Sequence, residues 1–190
     1  MTAGELLERG AVVSEDPEQA ACELLRSGWS SDLRTCKLPV DPFEIAEALG
    51  LKVQQIVLEP DVSGMLAKRP GEDPQVYVNA TDSNVRQRFS CAHEIGHYVK
   101  RTTGPKGVGN AKDAEWGYID RRGPSASRGT SPEEIYANRF AAALLMPEER
   151  IKALTVDGLG PVAMAAQFEV SLDAMTFRLD NLAKAASASQ

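Results

Sequence analysis

Residues 88–100 read RFSCAHEIGHYVK. The stretch holds both histidines of the chain, His93 and His97, four residues apart, with Glu94 directly after the first. Around them Val85, Phe89, Ala92, Gly96 and Val99 recur at helical spacing, which predicts one helix over residues 82–101. On a helix, side chains at i and i+4 leave from the same face one turn apart. Two imidazoles so placed can occupy two corners of a tetrahedral metal site. Glu94 is turned about 100° round the axis, out of the ligand direction but within reach of a water held at the metal. That is the HExxH arrangement of a zinc hydrolase. The plainer alternative is a pair of satisfied histidines on an ordinary helix. Against it stands Gly96, which costs about 1 kcal/mol relative to alanine inside a helix and makes sense where a second backbone must pass close.

A catalytic zinc site keeps three protein ligands and one open position. The third cannot be histidine, since none remains, and the extended pattern HExxHxxGxxH is absent because Lys100 and Thr103 stand where it needs glycine and histidine. A carboxylate or a thiolate is left. Cys91 lies two residues from His93, which turns it to the far side of the helix and into apolar company. Glu134 opens the next strongly helical stretch, SPEEIYANRFAAALLMPEE, with Asn138 one turn along, where it could orient that carboxylate. Ala137 and Ala141 would let this helix approach Gly96. Ser131-x-x-Glu134 fits a capping box equally well. Glu133 is the runner-up ligand, and Asp113, Glu115 and Asp120 lie in a stretch that reads as loop and would hold an ion less rigidly.

The rest of the chain bounds these possibilities. Its 190 residues suffice for one compact core. A net charge of −6 and a pI of about 5.1 argue against a nucleic-acid binder, which needs a basic stripe. Arg121, Arg122 and Arg128 form the one basic cluster, read as a solvated loop. No apolar run is long enough to span a membrane, and MTAGELLERGAVVSEDPEQ has no signal-peptide core. Three scattered cysteines, Cys22, Cys36 and Cys91, form no disulfide framework, so a cytoplasmic setting is expected.

Along the chain, PEQAACELLRS predicts a helix over 17–27. In LPVDPFEIAEALG, Asp41 caps a second helix over 42–49 that Gly50 stops. LKVQQIVLE, VSGMLAKRP and PQVYVNA predict three short strands in a small sheet or meander, and QVYVNA is a possible edge for a substrate strand to join. Residues 102–130, rich in Gly, Pro, Ser and Thr, read as a long loop. Two short helices joined at EVS close the chain before a frayed AASASQ. This tail, VAMAAQFEVSLDAMTFRL, has a helix-turn-helix look. Its would-be recognition helix offers Arg178 alone among basic side chains and no Asn or Gln for base reading, so a packing element is expected over a DNA-binding one.

Taken together, RQRFSCAHEIGH, EEIYANRFAAALLMP and the upstream LPVDPFEIAEALGLKV resemble the ImmA/IrrE family of small bacterial metallopeptidases, over roughly residues 37–150. The resemblance implies an α+β, zincin-like fold: a three-stranded sheet, a zinc-binding HExxH helix, a second ligand-bearing helix and a helical tail. In domain terms this is an N-terminal helical arm (1–36), the peptidase domain (37–155) and a tail packed on it (156–190). It implies His93, His97 and Glu134 as metal ligands and Glu94 as general base. Zinc is the implied metal, with manganese or another divalent ion possible. The implied substrate is a protein, an Xre-type helix-turn-helix transcriptional repressor, cleaved in a stress or mobile-element response. No nucleic-acid or membrane partner is expected. An oxyanion donor is also expected, with Tyr98, Tyr136 and Arg139 as candidates. The competing readings are a zinc-stabilised module that binds a repressor without cutting it, and a DNA-binding regulator acting through residues 161–180. The chain departs from the family in its long Gly-rich loop and in the Ser90-Cys91 pair.

Overall fold

Short polar residues start the helices, Asp41 as its sequence position indicates and Asp16 in addition. Asp16 Oδ1 accepts from the amides of Glu18 and Gln19 at 2.9 and 3.0 Å and opens α1, Pro17–Gly28. Asp41 Oδ1 accepts from the Phe43 amide at 2.9 Å and opens α2, Pro42–Ala48, after which the chain turns through Gly50 at φ 79°. The structure, a computed structural model, describes residues 14–103, 115–121 and 131–188. The remaining elements are β1 (Lys52–Ile56), β2 (Val62–Lys68), β3 (Gln75–Asn79), α3 (Asn84–Thr103), β4 (Trp116–Arg121), α4 (Pro132–Leu145), α5 (Glu148–Val156), α6 (Pro161–Phe168) and α7 (Leu172–Ala188).

The class is α+β as expected, but the sheet has four strands, not three, in the order β1-β3-β2-β4. β3 inserts between β1 and β2, parallel to the first and antiparallel to the second, so the strands do not form a meander. Burial explains the order. Leu66 of β2 and Val76 and Val78 of β3 are fully buried, so these strands take the central places, while β1 is mostly exposed and lies at the rim. QVYVNA is therefore an interior strand and cannot serve as the edge suggested for it. The fourth strand, β4, comes from the stretch read as a loop and pairs antiparallel with β2, Lys68 opposite Trp116 and Met65 opposite Ile119. The rest of the expected loop, with Arg122, Arg128 and Asp113, lies outside the described residues.

α3 is the centre of the molecule. A single apolar stripe was expected, yet every residue from Ser90 to Val99 is buried, because the sheet covers one side and α2 and α4 the others. Cys91 is among them, its Sγ 3.6 Å from the Pro42 carbonyl and its thiol pushed up by burial, on the side away from the histidines. Gly96 is where α4 crosses. A Cβ there would meet Ala137 Cα at 3.0 Å and Phe140 Cβ at 3.2 Å. Both are rigid parts of the neighbouring helix, so the helices could only move apart. Gly96→Val is expected to destabilise the protein by about 1–3 kcal/mol through overpacking and, since the expected ligands His93 and His97 lie on α3 and Glu134 on α4, to weaken metal binding. Urea unfolding together with a metal titration checks this; unchanged values in both would remove the close approach from the argument.

Two buried arginines tie the C-terminal helices to this core. Arg88 of α3 donates to the Val40 and Phe168 carbonyls at 2.8 and 3.3 Å and pairs with Glu169, which sits at φ 50° in the αL turn after α6. Arg178 of α7 is 4% exposed, donates to the Met146 carbonyl at 3.3 Å and pairs with Glu18 at 3.0 Å. The one basic side chain of the would-be recognition helix thus points inward. Met164, Phe168 and Met175 join the same hydrophobic cluster as Leu25 and Leu144. α7 runs on to Ala188, past the expected fraying point. Among the described residues no helix is long and apolar enough to cross a membrane.

Candidate metal centre

α3 presents His93 and His97 on one face, and α4 crosses at Gly96 so that its first turn faces them. The three donor atoms close into a triangle. His93 Nε2 and His97 Nε2 are 3.0 Å apart, His93 Nε2 is 3.3 Å from Glu134 Oε2, and His97 Nε2 is 3.2 Å from Glu134 Oε1. Donors held about 2.0–2.2 Å from a tetrahedral ion lie roughly 3.3–3.6 Å from one another. The triangle therefore has nearly the dimensions of one face of such a coordination shell, and the N, N, O donor set suits zinc and other divalent first-row ions. Both histidines are almost fully buried and Glu134 is about one-third exposed, which leaves the carboxylate side open to a substrate. No other cluster of three potential ligands occurs among the described residues.

The capping box and the ligand were posed as alternatives for Glu134, and the structure divides them. Ser131 Oγ accepts from the Glu134 amide at 3.2 Å, so the backbone half of the box forms. The Glu134 carboxylate turns the other way, to the histidines, whose hydrogen bonds hold it well below the usual carboxylate range, His93 contributing most. Burial pulls both imidazoles toward the neutral form. At His93 the bond to Glu134 and the nearby Glu94 charge reverse the balance, while at His97 burial prevails. A neutral imidazole with its lone pair free is what a metal requires.

Asn138 does not orient Glu134, as its spacing suggested, but His93: Asn138 Oδ1 accepts from His93 Nδ1 at 3.1 Å. That bond keeps a proton on Nδ1, so that when Nε2 gives up the proton it now shares with Glu134, its lone pair points into the triangle. Asn138→Leu is expected to lower metal affinity about 10–100-fold with little change in fold. Competition with a chelating dye measures it, and wild-type affinity would mean that His93 needs no such support.

Glu94 is completely buried, and neither carboxylate oxygen has a hydrogen-bond partner. Burial pushes its carboxyl up to about 8, with the His93 charge opposing and Asp120 and Glu134 adding to the rise. It is close against β2. A Cβ on Gly64 would come within 2.9 Å of Glu94 Oε1, so only glycine leaves room for this carboxylate. An unpaired buried acid is costly; beside a ring of metal ligands it has the placement of a proton acceptor.

The residue that sequence reasoning missed is Tyr118. On β4 it stacks on the His97 ring, 4.4 Å between centroids and 11° from parallel, and its hydroxyl accepts from Arg101 at 3.3 Å. The available signal was the alternation of Trp116, Tyr118 and Asp120 with Gly117 and Ile119. The three oxyanion candidates differ in their surroundings, and of them the Tyr136 hydroxyl is buried without a hydrogen-bond partner. Tyr98 is buried in the core. Tyr136 packs against Phe140 with its phenol pushed up to about 12 by burial. Arg139 pairs with Asp16 and Glu18 at 3.6 Å each. Among the weaker ligand candidates, Asp120 pairs with Arg86 at 3.2 Å.

Comparison with curated proteins gives no match. Against protein families, residues 46–180 match the Peptidase_M78 family, described as the IrrE N-terminal-like domain. The matched span runs from α2 into α7 and contains the three donors, Glu94, Asn138 and Tyr118. With the buried His-His-Glu triangle lying inside that span, the chain belongs to the Peptidase_M78 family, and it is a metallopeptidase.

Proposed function

We propose that this chain is a zinc-dependent endopeptidase, zincin-like in fold, whose substrate is a helix-turn-helix repressor of the Xre type. The observation that carries the catalytic part is the coincidence of a donor triangle of coordination size with a buried, unpaired glutamate next in sequence to a ligand. The substrate class follows from the family resemblance. A divalent ion at His93, His97 and Glu134 supplies Lewis acidity and a water that ionises near neutral pH. Glu94 accepts the proton of the attacking water and delivers it to the departing amine. Asn138 keeps His93 in one tautomer through the cycle, and Tyr118 holds the plane of His97. β4 ends the sheet order beside the ligands, so it, not β3, is the strand alongside which an extended substrate segment lies.

The test is incubation of the zinc-loaded protein with a purified repressor of this type encoded beside it, followed by mass spectrometry. Two fragments from the wild type and none from Glu94→Gln support the reading. Binding without fragments favours the non-cleaving module, and neither binding nor cleavage rejects the substrate class.

A further inference from the structure

Next to the metal centre a cleft of about 920 Å³ runs between α3, β4, α4 and α7. Asn138 belongs to both: its Oδ1 holds the ligand His93 while the residue also lines the cleft. Phe89, whose ring centroid is 6.3 Å from that of His93, lines the same end. From there the lining continues along α4 through Ala142 and Met146. It is closed by α7, where Ala174, Phe177, Asn181 and Ala185 recur at helical spacing along one stripe. Most of the lining surface is apolar, although Glu18, Asp82 and Asn181 also border it beside Asn138, Asp120 and the arginines. The arginines around it already hold carboxylates: Arg86 with Asp120, Arg178 with Glu18, and Arg139 with Glu18 and Asp16. Phe177 stands in this wall and is 68% exposed, a large aromatic that contributes little to the core it borders.

We propose that the C-terminal helix α7 is a specificity wall of the peptidase, and that this cleft receives a large apolar side chain of the substrate, adjacent to the scissile bond, against Phe177. The occupant is fixed by continuity and charge. A segment stretched across the metal centre must place a neighbouring side chain beside Asn138 and Phe89, which is the mouth of the cleft. A charged side chain there would find the charged groups of the lining already paired with one another, so it gains less than an apolar one. A leucine or phenylalanine would bury itself and Phe177 together. Small Ala142 and Ala174 set the depth. The helix-turn-helix look of residues 161–180 then has a different meaning: Arg178 faces the core, and the face carrying Phe177 reads a peptide. This rests on the peptidase reading above, and its test is built to fail separately.

Blocked octapeptides of glycine, alanine and serine with one variable central residue (Leu, Phe, Ala or Asp) serve as probes. Binding to zinc-loaded Glu94→Gln protein, which does not cut, is measured by calorimetry. Cutting by the zinc-loaded wild type is followed by mass spectrometry. The Leu and Phe peptides are expected to bind at least about ten-fold tighter than the Ala and Asp peptides, the scale on which apolar pockets discriminate. Phe177→Ala, at an exposed position that should not disturb folding, reduces that margin to about three-fold or less. Ala174→Phe, which fills the cleft, moves the preference from Phe toward Ala. Equal binding of all four peptides, or a margin untouched by both substitutions, overturns the proposal. Discriminating binding with no cutting by the wild type leaves the cleft standing and rejects the endopeptidase reading instead.

Discussion

Glu94→Gln keeps its metal and its fold and loses about 10²–10⁴ in the rate of peptide hydrolysis, the range for removing a general base. Glutamine has nearly the shape of glutamate, so it occupies the space that Gly64 leaves on β2, where a methyl group on that glycine would already be within 2.9 Å of Glu94 Oε1. It exchanges one unpaired polar group for another of the same shape at a fully buried position, so stability changes little. What it cannot do is take a proton from water. The donor triangle is made by His93, His97 and Glu134 without help from residue 94. The variant therefore separates chemistry from metal binding, a separation that a ligand substitution cannot provide. Elemental analysis and circular dichroism establish that metal and fold are retained, and a timed cleavage assay reads the loss. Cleavage within a few-fold of wild type means that another group is the base. Loss of metal means that the ligand set is wrongly drawn.

The helices were legible because their signals are local. Asp41 and Ser131 cap where short polar residues precede apolar periodicity, and those caps form as read, while Asp16 caps the first helix in the same way. The HExxH pair was legible for the same reason, as a spacing within one helix. The need for glycine at position 96 was also readable, and Ala137 supplies the close backbone it anticipates. What failed depends on long-range pairing. Nothing within β1, β2 or β3 says that the third strand slips between the first two. β4 is six residues inside a stretch rich in turn formers, and it is a strand because β2 offers it a partner. Asn138 was placed correctly on the face of Glu134, but which group it reaches depends on where α3 lies, and His93 is the nearer need. Ile135, apolar and in the same helix, is 48% exposed because α4 turns its opposite side to the core.

Glu134→Ala is expected to lower metal affinity by well over the roughly 100-fold that marks the loss of an outer-shell partner, whereas Glu133→Ala stays within a few-fold of wild type. Neighbours on a helix diverge by about 100°, so only one of two adjacent carboxylates can face α3. Glu134 does so with both oxygens, one to each imidazole, at 3.3 and 3.2 Å. Glu133 is exposed. The comparison is clean because the start of α4 does not depend on either side chain: Ser131 Oγ holds the backbone amide of residue 134, a bond that alanine retains, and Pro132 presets the first turn in both variants. A fall in metal content therefore cannot be put down to an unravelled helix. It reports the loss of the third corner, and two imidazoles on one helix face are left to hold the ion alone. Measuring zinc affinity for both variants by chelator competition decides the matter. The opposite ranking would assign the third ligand to Glu133 and would require the first turn of α4 to be rotated by one residue from the position that the Ser131 cap gives it.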